Sequence, residues 1–393
     1  MLAESKEAAK TAHDLVDATE EVGLVEQYEE PSEKVYTASQ WQLMRWRFAK
    51  HKMAVFSLIL LGIFYLVALF CEFIAPYDPN RYAEMYAYAA PQRIRFFDEE
   101  GNFYLRPFVY GLKSERDPVT MRMVFVDDPQ QRYPLTLFAR GEPYKFWGLW
   151  EADRHLFGVE GDGVFFLLGA DRLGRDMFSR IVYGARISLS VGLVSILIGL
   201  VLGIFFGGVS GYYGGAADTI IQRVIEFLRS IPTIPLWMGL SAAVPTAWSP
   251  LRVYFAITIL LSLINWTTLA RVVRGRFLSL REEDFVLAAS LAGASQMRVI
   301  FRHMVPSFLS HIIASLTLSV PQVILAETAL SFLGLGLRPP VISWGVLLQE
   351  SQNLRSVATA PWLLLPGVAV VLAVLAFNFV GDGLRDAADP YAH

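Results

Sequence analysis

Residues of the kinds that catalyse reactions or bind metals are few in this sequence and poorly arranged for either task. In the stretch D-R-L-G-R-D, Asp171 and Asp176 enclose Arg172 and Arg175. Two acids could begin a metal site, but cations among the ligands would repel the metal, so we predict a salt-bridged helix start instead. His303 lies in a polar segment and lacks the acid or nucleophile that a closed catalytic site needs.

Cofactor chemistry has equally little support. The only cysteine, Cys71, excludes a disulfide within the chain and a cysteine metal site. The phosphate-binding pattern G-x-x-x-x-G-K-[ST] is absent, so we do not expect the chain to hydrolyse ATP itself. The basic residues are scattered or lie beside apolar runs, which argues against a nucleic-acid surface. We therefore predict no catalytic residue, no metal and no cofactor bound by this chain.

Apolar residues make up 54% of the 393 residues and are gathered in long runs. Several runs exceed the roughly 18 residues that a helix needs to cross a bilayer. Because the runs do not alternate in polarity, they exclude a membrane β-barrel. We predict an all-α polytopic membrane protein with about six transmembrane helices. The predicted spans are 53–75, 187–209, 230–244, 251–270, 307–333 and 362–380.

The charges between these spans orient the chain. Residues 1–40 hold ten acids against three lysines and are predicted to form a disordered cytosolic tail. Residues 41–75 read as a basic, aromatic interfacial helix followed by the first span. The segment 271–306 carries six arginines and no lysine, which places it in the cytosol under the positive-inside rule. Both termini are then expected to be cytosolic.

Residues 76–180 differ in composition, being polar, aromatic and rich in proline and glycine. Alternating polarity predicts one β-hairpin around the turn 98–102 and a second around the turn 127–129. We therefore expect a small, mostly β, extracytoplasmic domain inserted between spans one and two. Residues 181–390 form the remaining core, in which Trp344 is expected to anchor a short interfacial helix.

Glu327 lies inside the otherwise apolar run 307–333. A charge near mid-membrane costs about 2.5–3.5 kcal/mol on insertion scales, so this carboxyl group needs a structural or functional reason. It either lines or gates a pathway through the helices or braces the bundle by hydrogen bonds. We favour the brace, because the same span offers no basic partner. Asn378, near a membrane end, is expected to form an interhelical hydrogen bond.

The segment 281–307 is the most informative part of the chain. Its sequence predicts a short helix with acids at its start, a turn at Gly293, and a second helix that ends near Pro306. The small residues Ala288 and Ala289 would let the surface of another protein approach closely. This segment resembles the E-A-A-x-x-x-G-…-L-P signature of binding-protein-dependent ABC importer permeases, with leucine in place of its glutamate and valine in place of its leucine.

Other blocks are similar to the C-type branch of that family, which serves dipeptides, oligopeptides or nickel. They are L-G-A-D-R-L-G-R-D at 168–176 with Y-G-A-R at 183–186, G-Y-Y-G-G at 211–215, A-E-T-A-L-S-F-L-G-L-G at 326–336, S-W-G at 343–345, and N-F-V-G-D-G-L-R-D-A-A-D-P at 378–390. The resemblance covers the first span and nearly all of 165–390, and leaves out the tail and most of the insert.

This resemblance implies a permease subunit that moves di- or oligopeptides across the cell inner membrane by alternating access. It implies as partners a homologous second permease in a heterodimer, two ATP-binding subunits and an extracytoplasmic solute-binding protein. The helix around 284–304 would couple to the ATPase. The implied coupling residues are Glu283, Asp284, Ala288, Ala289, Gly293, Ala294, Arg298, Arg302 and Pro306.

Three alternatives remain open at the level of sequence. The same type of importer could carry nickel or oligosaccharides. A secondary transporter or channel would be expected to show intramembrane charge relays or repeated broken helices, which this sequence lacks. A membrane-embedded enzyme would need clustered ionisable residues within the spans.

Overall fold

The computed structural model describes residues 39–388 apart from 117, 119–122, 162 and 246. The predicted tail therefore lies almost wholly outside the described residues. The described chain divides into two units at the boundary between Arg47 and Phe48. In the first unit Ser39 and Gln42 cap a helix start, since the Ser39 amide donates to Gln42 Oε1 over 2.9 Å and the Gln42 amide donates to Ser39 Oγ over 3.4 Å.

Helices make up most of the described chain. In chain order they are α1 (Gln40–Lys50), α2 (Lys52–Leu69), α3 (Cys71–Ile74), α4 (Met177–Tyr213), α5 (Gly215–Ser230), α6 (Thr233–Ala242), α7 (Pro250–Leu280), α8 (Asp284–Leu291), α9 (Gln296–Arg298), α10 (Val305–Ser307), α11 (Leu309–Thr317), α12 (Val320–Phe332), α13 (Trp344–Leu348), α14 (Leu354–Thr359) and α15 (Leu365–Ala388).

Five helical stretches of the described chain are long and apolar enough to cross a membrane. They are Lys52–Leu69, Met177–Tyr213, Pro250–Leu280, Leu309–Phe332 and Pro361–Ala388. These stretches correspond to predicted spans one, two, four, five and six. Helices α4 and α7 extend well past the predicted limits of 187–209 and 251–270.

The predicted third span differs from the others. Residues 230–244 contain only the ten-residue helix α6, which covers about 15 Å at 1.5 Å per residue. Pro232 forms the N-cap of α6, and Ile231 before it is extended, so the chain bends between α5 and α6. The total of six spans stays a prediction.

The insert between α2 and α4 is mostly β, as predicted. Its strands are β1 (Arg95–Phe97), β2 (Phe103–Arg116), β3 (Met123–Leu137), β4 (Arg140–Phe146), β5 (Trp150–Arg154) and β6 (Phe157–Val159). One antiparallel sheet has the order β1-β2-β3-β6, and β4 and β5 form a separate hairpin.

The first predicted hairpin is confirmed, and the second is wrong. Asp98 closes the β1–β2 turn by accepting the Asn102 amide over 2.8 Å. Residues 127–129, by contrast, lie within β3 and do not reverse the chain. Pairing with β2 steps from Arg132 opposite Tyr110 to Asp128 opposite Gly111, so the intervening residues bulge from a continuing strand.

Close packing of α4 on α7 forms the centre of the membrane core. A Cβ atom built on Gly203 would lie 2.7 Å from Leu269 Cδ2, and one built on Gly207 would lie 2.5 Å from the carbonyl oxygen of Ala270. Neither position has room for a side chain. The glycine-rich face of α4 therefore serves close helix packing, as expected for helices in lipid.

Trp344 is not an interfacial anchor. Its side chain is buried, with a relative exposure of 1%, and its indole Nε1 donates to the carbonyl oxygen of Ile181 over 3.0 Å. The prediction of an outward anchor is wrong because α13 folds back against α4 and buries the ring inside the bundle.

We expect Gly207→Ala to destabilise the protein, because the added methyl group meets the backbone of α7. Overpacking of this kind costs about 1–3 kcal/mol. The measurement is the thermal unfolding midpoint of the purified protein in detergent. Gly275→Ala is the matched control, since a Cβ atom there meets nothing within 4 Å. A midpoint for Gly207→Ala at or above that of the control would contradict the packing argument.

Candidate functional site

The segment 281–307 forms the predicted pair of short helices between α7 and α11. Glu283 is the N-cap residue of α8, so its acidic neighbour Asp284 begins the helix. Gly293 has φ +81° and ends the turn, with the Ala294 amide donating to the carbonyl oxygen of Ala289 over 3.1 Å. The chain then continues through α9, a wide π-helical stretch (Val299–Met304) and α10.

The inner face of this segment is built into the bundle. Val286, Val299 and Met304 are buried and belong to one apolar cluster with Phe277 of α7 and Ile312 of α11. Displacement of α8 must therefore displace the ends of α7 and α11 as well, because packed side chains do not slide freely.

The outer face of the segment holds most of the residues singled out from the sequence. Ala289 and Ala294 are half-buried at the edge of the apolar cluster. The others are exposed: Glu283, Asp284, Ala288, Gly293, Arg298, Arg302 and Pro306. The structure thus gathers the predicted set on one accessible helix pair.

Exposed apolar side chains on the same surface were missed from the sequence. Leu291 is 89% exposed at the end of α8, and Leu287 and Phe301 are about half exposed. The two leucines stand in the run F-V-L-A-A-S-L at 285–291, but the periodicity of this run does not say which side of the helix faces inward. Clustered exposed apolar groups next to arginines favour contact with another protein.

A partly buried ion pair ties α5 to the same end of α7. Arg274 Nε and Nη2 each donate to an oxygen of Asp218 over 2.6 Å, and the Ser210 hydroxyl donates to that carboxylate as well. The Arg274 guanidinium holds the pKa of the Asp218 carboxyl below its usual value. From the sequence, Arg274 served only as one of the six arginines that orient the chain in the membrane. The bidentate contact shows that it also has a structural partner in Asp218.

Glu327 is fully buried on α12 among serine hydroxyls. Ser331 and Ser343 donate to its Oε1 over 2.8 and 2.7 Å, and Ser188 of α4 donates to its Oε2 over 3.3 Å. Ser188 Oγ also accepts the backbone amide of Trp344 over 3.1 Å. The carboxyl group thereby joins α4, α12 and the start of α13, an arrangement that can hold the bundle together.

Asn378 lies half-buried on α15, and no hydrogen bond joins its side chain to Glu327. The two polar residues considered for the membrane core therefore do not form one polar site. The serines that contact Glu327 could not be paired with it from the sequence, because Ser188 lies 139 positions away in the chain.

The D-R-L-G-R-D block forms the salt-bridged helix start that its charges predict. Arg175 Nε donates to Asp171 Oδ2 over 2.6 Å, and Arg180 approaches the same oxygen at 3.5 Å. Asp176 caps α4 by accepting the amide and the hydroxyl of Ser179 over 2.8 and 2.6 Å. Burial raises the pKa of Asp176 to about 6.

Comparison with known proteins places this arrangement among transporter subunits. Residues 199–392 match the family described as binding-protein-dependent transport system inner membrane component. Residues 39–91 match the N-terminal TM domain of oligopeptide transport permease C.

Named relatives have close to 40% identical residues. The dipeptide transport system permease protein DppC of Alkalihalophilus pseudofirmus is 39% identical over 233 residues, covering 59% of this chain and 74% of the relative. The oligopeptide transport system permease protein OppC of Bacillus subtilis is 38% identical over 223 residues, covering 56% and 70%. The glutathione transport system permease protein GsiD of Pectobacterium atrosepticum is 39% identical over 232 residues, covering 59% and 74%.

We expect Glu327→Ala to lower the thermal unfolding midpoint in detergent, because three buried hydroxyls lose their acceptor, at a cost of about 1–3 kcal/mol. Glu327→Gln keeps one carbonyl oxygen for these hydroxyls, so its midpoint and its solute uptake should stay close to those of the unaltered protein. Normal stability together with lost uptake in Glu327→Gln would instead show that the charge itself is needed along the pathway.

Proposed function

This chain belongs to the family of binding-protein-dependent transport system inner membrane components, and we propose that, as a permease of an ABC importer, it carries di- or oligopeptides. The relatives named above are described as permeases for dipeptides, oligopeptides and glutathione, and they are similar over most of their own length. A peptide solute is the class that these relatives share.

We further propose that the segment 281–307 is the coupling element that contacts an ATP-binding subunit. The observation that supports it is the two-sided construction of the segment, with Val286 buried inward and Leu287 and Leu291 exposed outward. Exposed leucines in water cost about 1.5–3 kcal/mol each relative to burial. A partner protein that covers these leucines would gain binding energy. It would also hold a segment whose displacement moves the ends of α7 and α11.

The mechanism follows from that construction. ATP binding draws the two ATPase subunits together, and each carries its bound coupling segment with it. Because Val286 and Met304 pack on Phe277 of α7 and Ile312 of α11, movement of the segment tilts both membrane helices. Tilting them alternately opens the pathway to either side of the membrane.

The remaining partners are proposed on the same basis. A second, homologous permease would complete the pathway as a heterodimer, and a solute-binding protein would deliver the peptide on the side of the β insert. We propose that both termini and the segment 281–307 face the cytosol, since the arginines of residues 271–306 lie at that end of the helices.

We expect Leu291→Asp to release the ATP-binding subunits, because a carboxylate cannot be buried in an apolar cleft without a partner. The measurement is the yield of ATPase subunit that copurifies with the tagged permease, which should fall at least tenfold. Leu354→Asp serves as the matched control, since Leu354 is a similarly exposed leucine outside this segment. Equal yields for both variants would remove the coupling role from this surface.

We expect a cysteine at Leu105, which is 86% exposed on β2, to react with a membrane-impermeant maleimide in intact spheroplasts. In cells that lack the ATP-binding subunits, which would otherwise cover it, a cysteine at Leu291 should react only after the membrane is permeabilised, because we place the two positions on opposite sides. The native Cys71 is buried and adds little background. Reaction at Leu291 in intact spheroplasts would reverse the proposed orientation.

A further inference from the structure

The hairpin formed by β4 and β5 ends in a cluster of apolar side chains that the insert does not cover. Trp147 is 50% exposed, Leu149 71% and Trp150 64%. They lie at the turn, where the Leu149 amide donates to the carbonyl oxygen of Phe146 over 3.0 Å. Two tryptophans and a leucine at one hairpin tip would be poorly placed in bulk water.

The tip is fixed against the end of the first membrane helix. Trp147 Nε1 donates to the carbonyl oxygen of Leu69, the last residue of α2, over 3.0 Å. The Trp147 amide donates to Glu72 Oε1 over 3.3 Å. Phe146 stacks on Phe70 with ring centroids 5.9 Å apart. Three separate contacts therefore set the height of the hairpin relative to α2.

Arg186 of α4 strengthens this attachment from the second helix. Its guanidinium lies 4.7 Å from the centre of the Trp147 ring and forms an ion pair with Glu72 over 2.6 Å. Its Nε also donates to the carbonyl oxygen of Ala68 over 3.0 Å, which satisfies a terminal carbonyl of α2. The hairpin is thus attached to both helices that flank the insert.

The length of α2 gives the depth of the tip. Its 18 residues cover about 27 Å, close to the roughly 30 Å of a bilayer core. Leu69 and Phe70 therefore lie at the boundary between acyl chains and headgroups. Both are exposed, as is Leu66 one turn earlier, so the lipid-facing surface of α2 continues onto the hairpin tip.

The rest of the hairpin has the polarity that such a position requires. Lys145 and Glu151 pair over 3.6 Å behind the tip, and Arg140 and Asp153 lie 3.9 Å apart farther along the strands. Apolar and aromatic groups thus occupy the end beside α2, and charged pairs occupy the strands behind it. Tryptophan and tyrosine are enriched at membrane interfaces, where one end of the side chain lies in an apolar layer and the other meets water.

We infer that the β4–β5 tip is inserted into the interfacial layer of the bilayer, on the side where the insert lies. Lipid is the occupant that fits, because the tip continues the lipid-facing surface of α2 and the family is a membrane one. This role rests on membership of the family but needs neither the peptide solute nor the coupling segment. The insert is then held at the membrane surface by its own aromatic anchor.

The test uses the whole transporter complex in liposomes, with a nitroxide attached at Leu149→Cys in a Cys71→Ala background. Cys71 is fully buried and small, so alanine should replace it without rearrangement. Electron paramagnetic resonance then compares relaxation by oxygen, which concentrates in lipid, with relaxation by a water-soluble nickel chelate. We expect oxygen to dominate at Leu149 and the chelate to dominate at Leu105→Cys, an exposed leucine of the other sheet.

A second label at Trp150→Cys guards against a local effect of the first and should also respond mainly to oxygen. Dominant relaxation by the nickel chelate at both tip positions would overturn the anchor. The same would follow if the labels were water-accessible until addition of the solute-binding protein immobilised them, since the tip would then be a protein contact. Neither result depends on transport, so failure here is distinguishable from failure of the proposed function.

Discussion

The close approach of α4 and α7 is the contact on which the rest of the structure depends. Gly203 and Gly207 remove side chains from the interface, so the two backbones can meet where lipid offers no hydrophobic drive for association. The start of α4 carries the capped D-R-L-G-R-D block and the arginine that holds the insert. The end of α7 leads directly into the segment 281–307. The insert and the segment 281–307 therefore both extend from one closely packed pair of helices.

Charges near this core are consistently paired or hydrogen-bonded. Arg186 meets Glu72 near the insert, Arg274 meets Asp218 at the other end of α7, and Glu327 accepts bonds from three serines between them. Satisfied polar groups of this kind join specific helices at specific heights, because leaving any one of them unpaired in an apolar environment is costly. They explain how the helices keep their register while packing mainly through small and aliphatic residues.

The two regions outside the core are built on opposite principles. The segment 281–307 buries its inner face and exposes leucines outward, which suits a protein partner that moves it. The β4–β5 hairpin instead places its exposed aromatic residues beside the end of α2, which suits lipid and keeps the insert still. The segment 281–307 would thus be the moving contact and the β4–β5 hairpin the stationary one. Such a division is compatible with alternating access, in which some helices move relative to others that stay in place.

The sequence by itself determined five of the six predicted membrane helices, the β character of the insert, the helix pair around Gly293 and the family. These features rest on long apolar runs, turn residues and local motifs, all of which act over short distances along the chain. Only the tertiary structure decided which face of α8 is buried, that β3 continues through residues 127–129, and that Trp344 lies inside the bundle. It also supplied the partners of Glu327 and the attachment of Trp147 to α2. Each of these depends on groups far apart in sequence that meet only when helices and strands pack, and no local pattern encodes such a meeting.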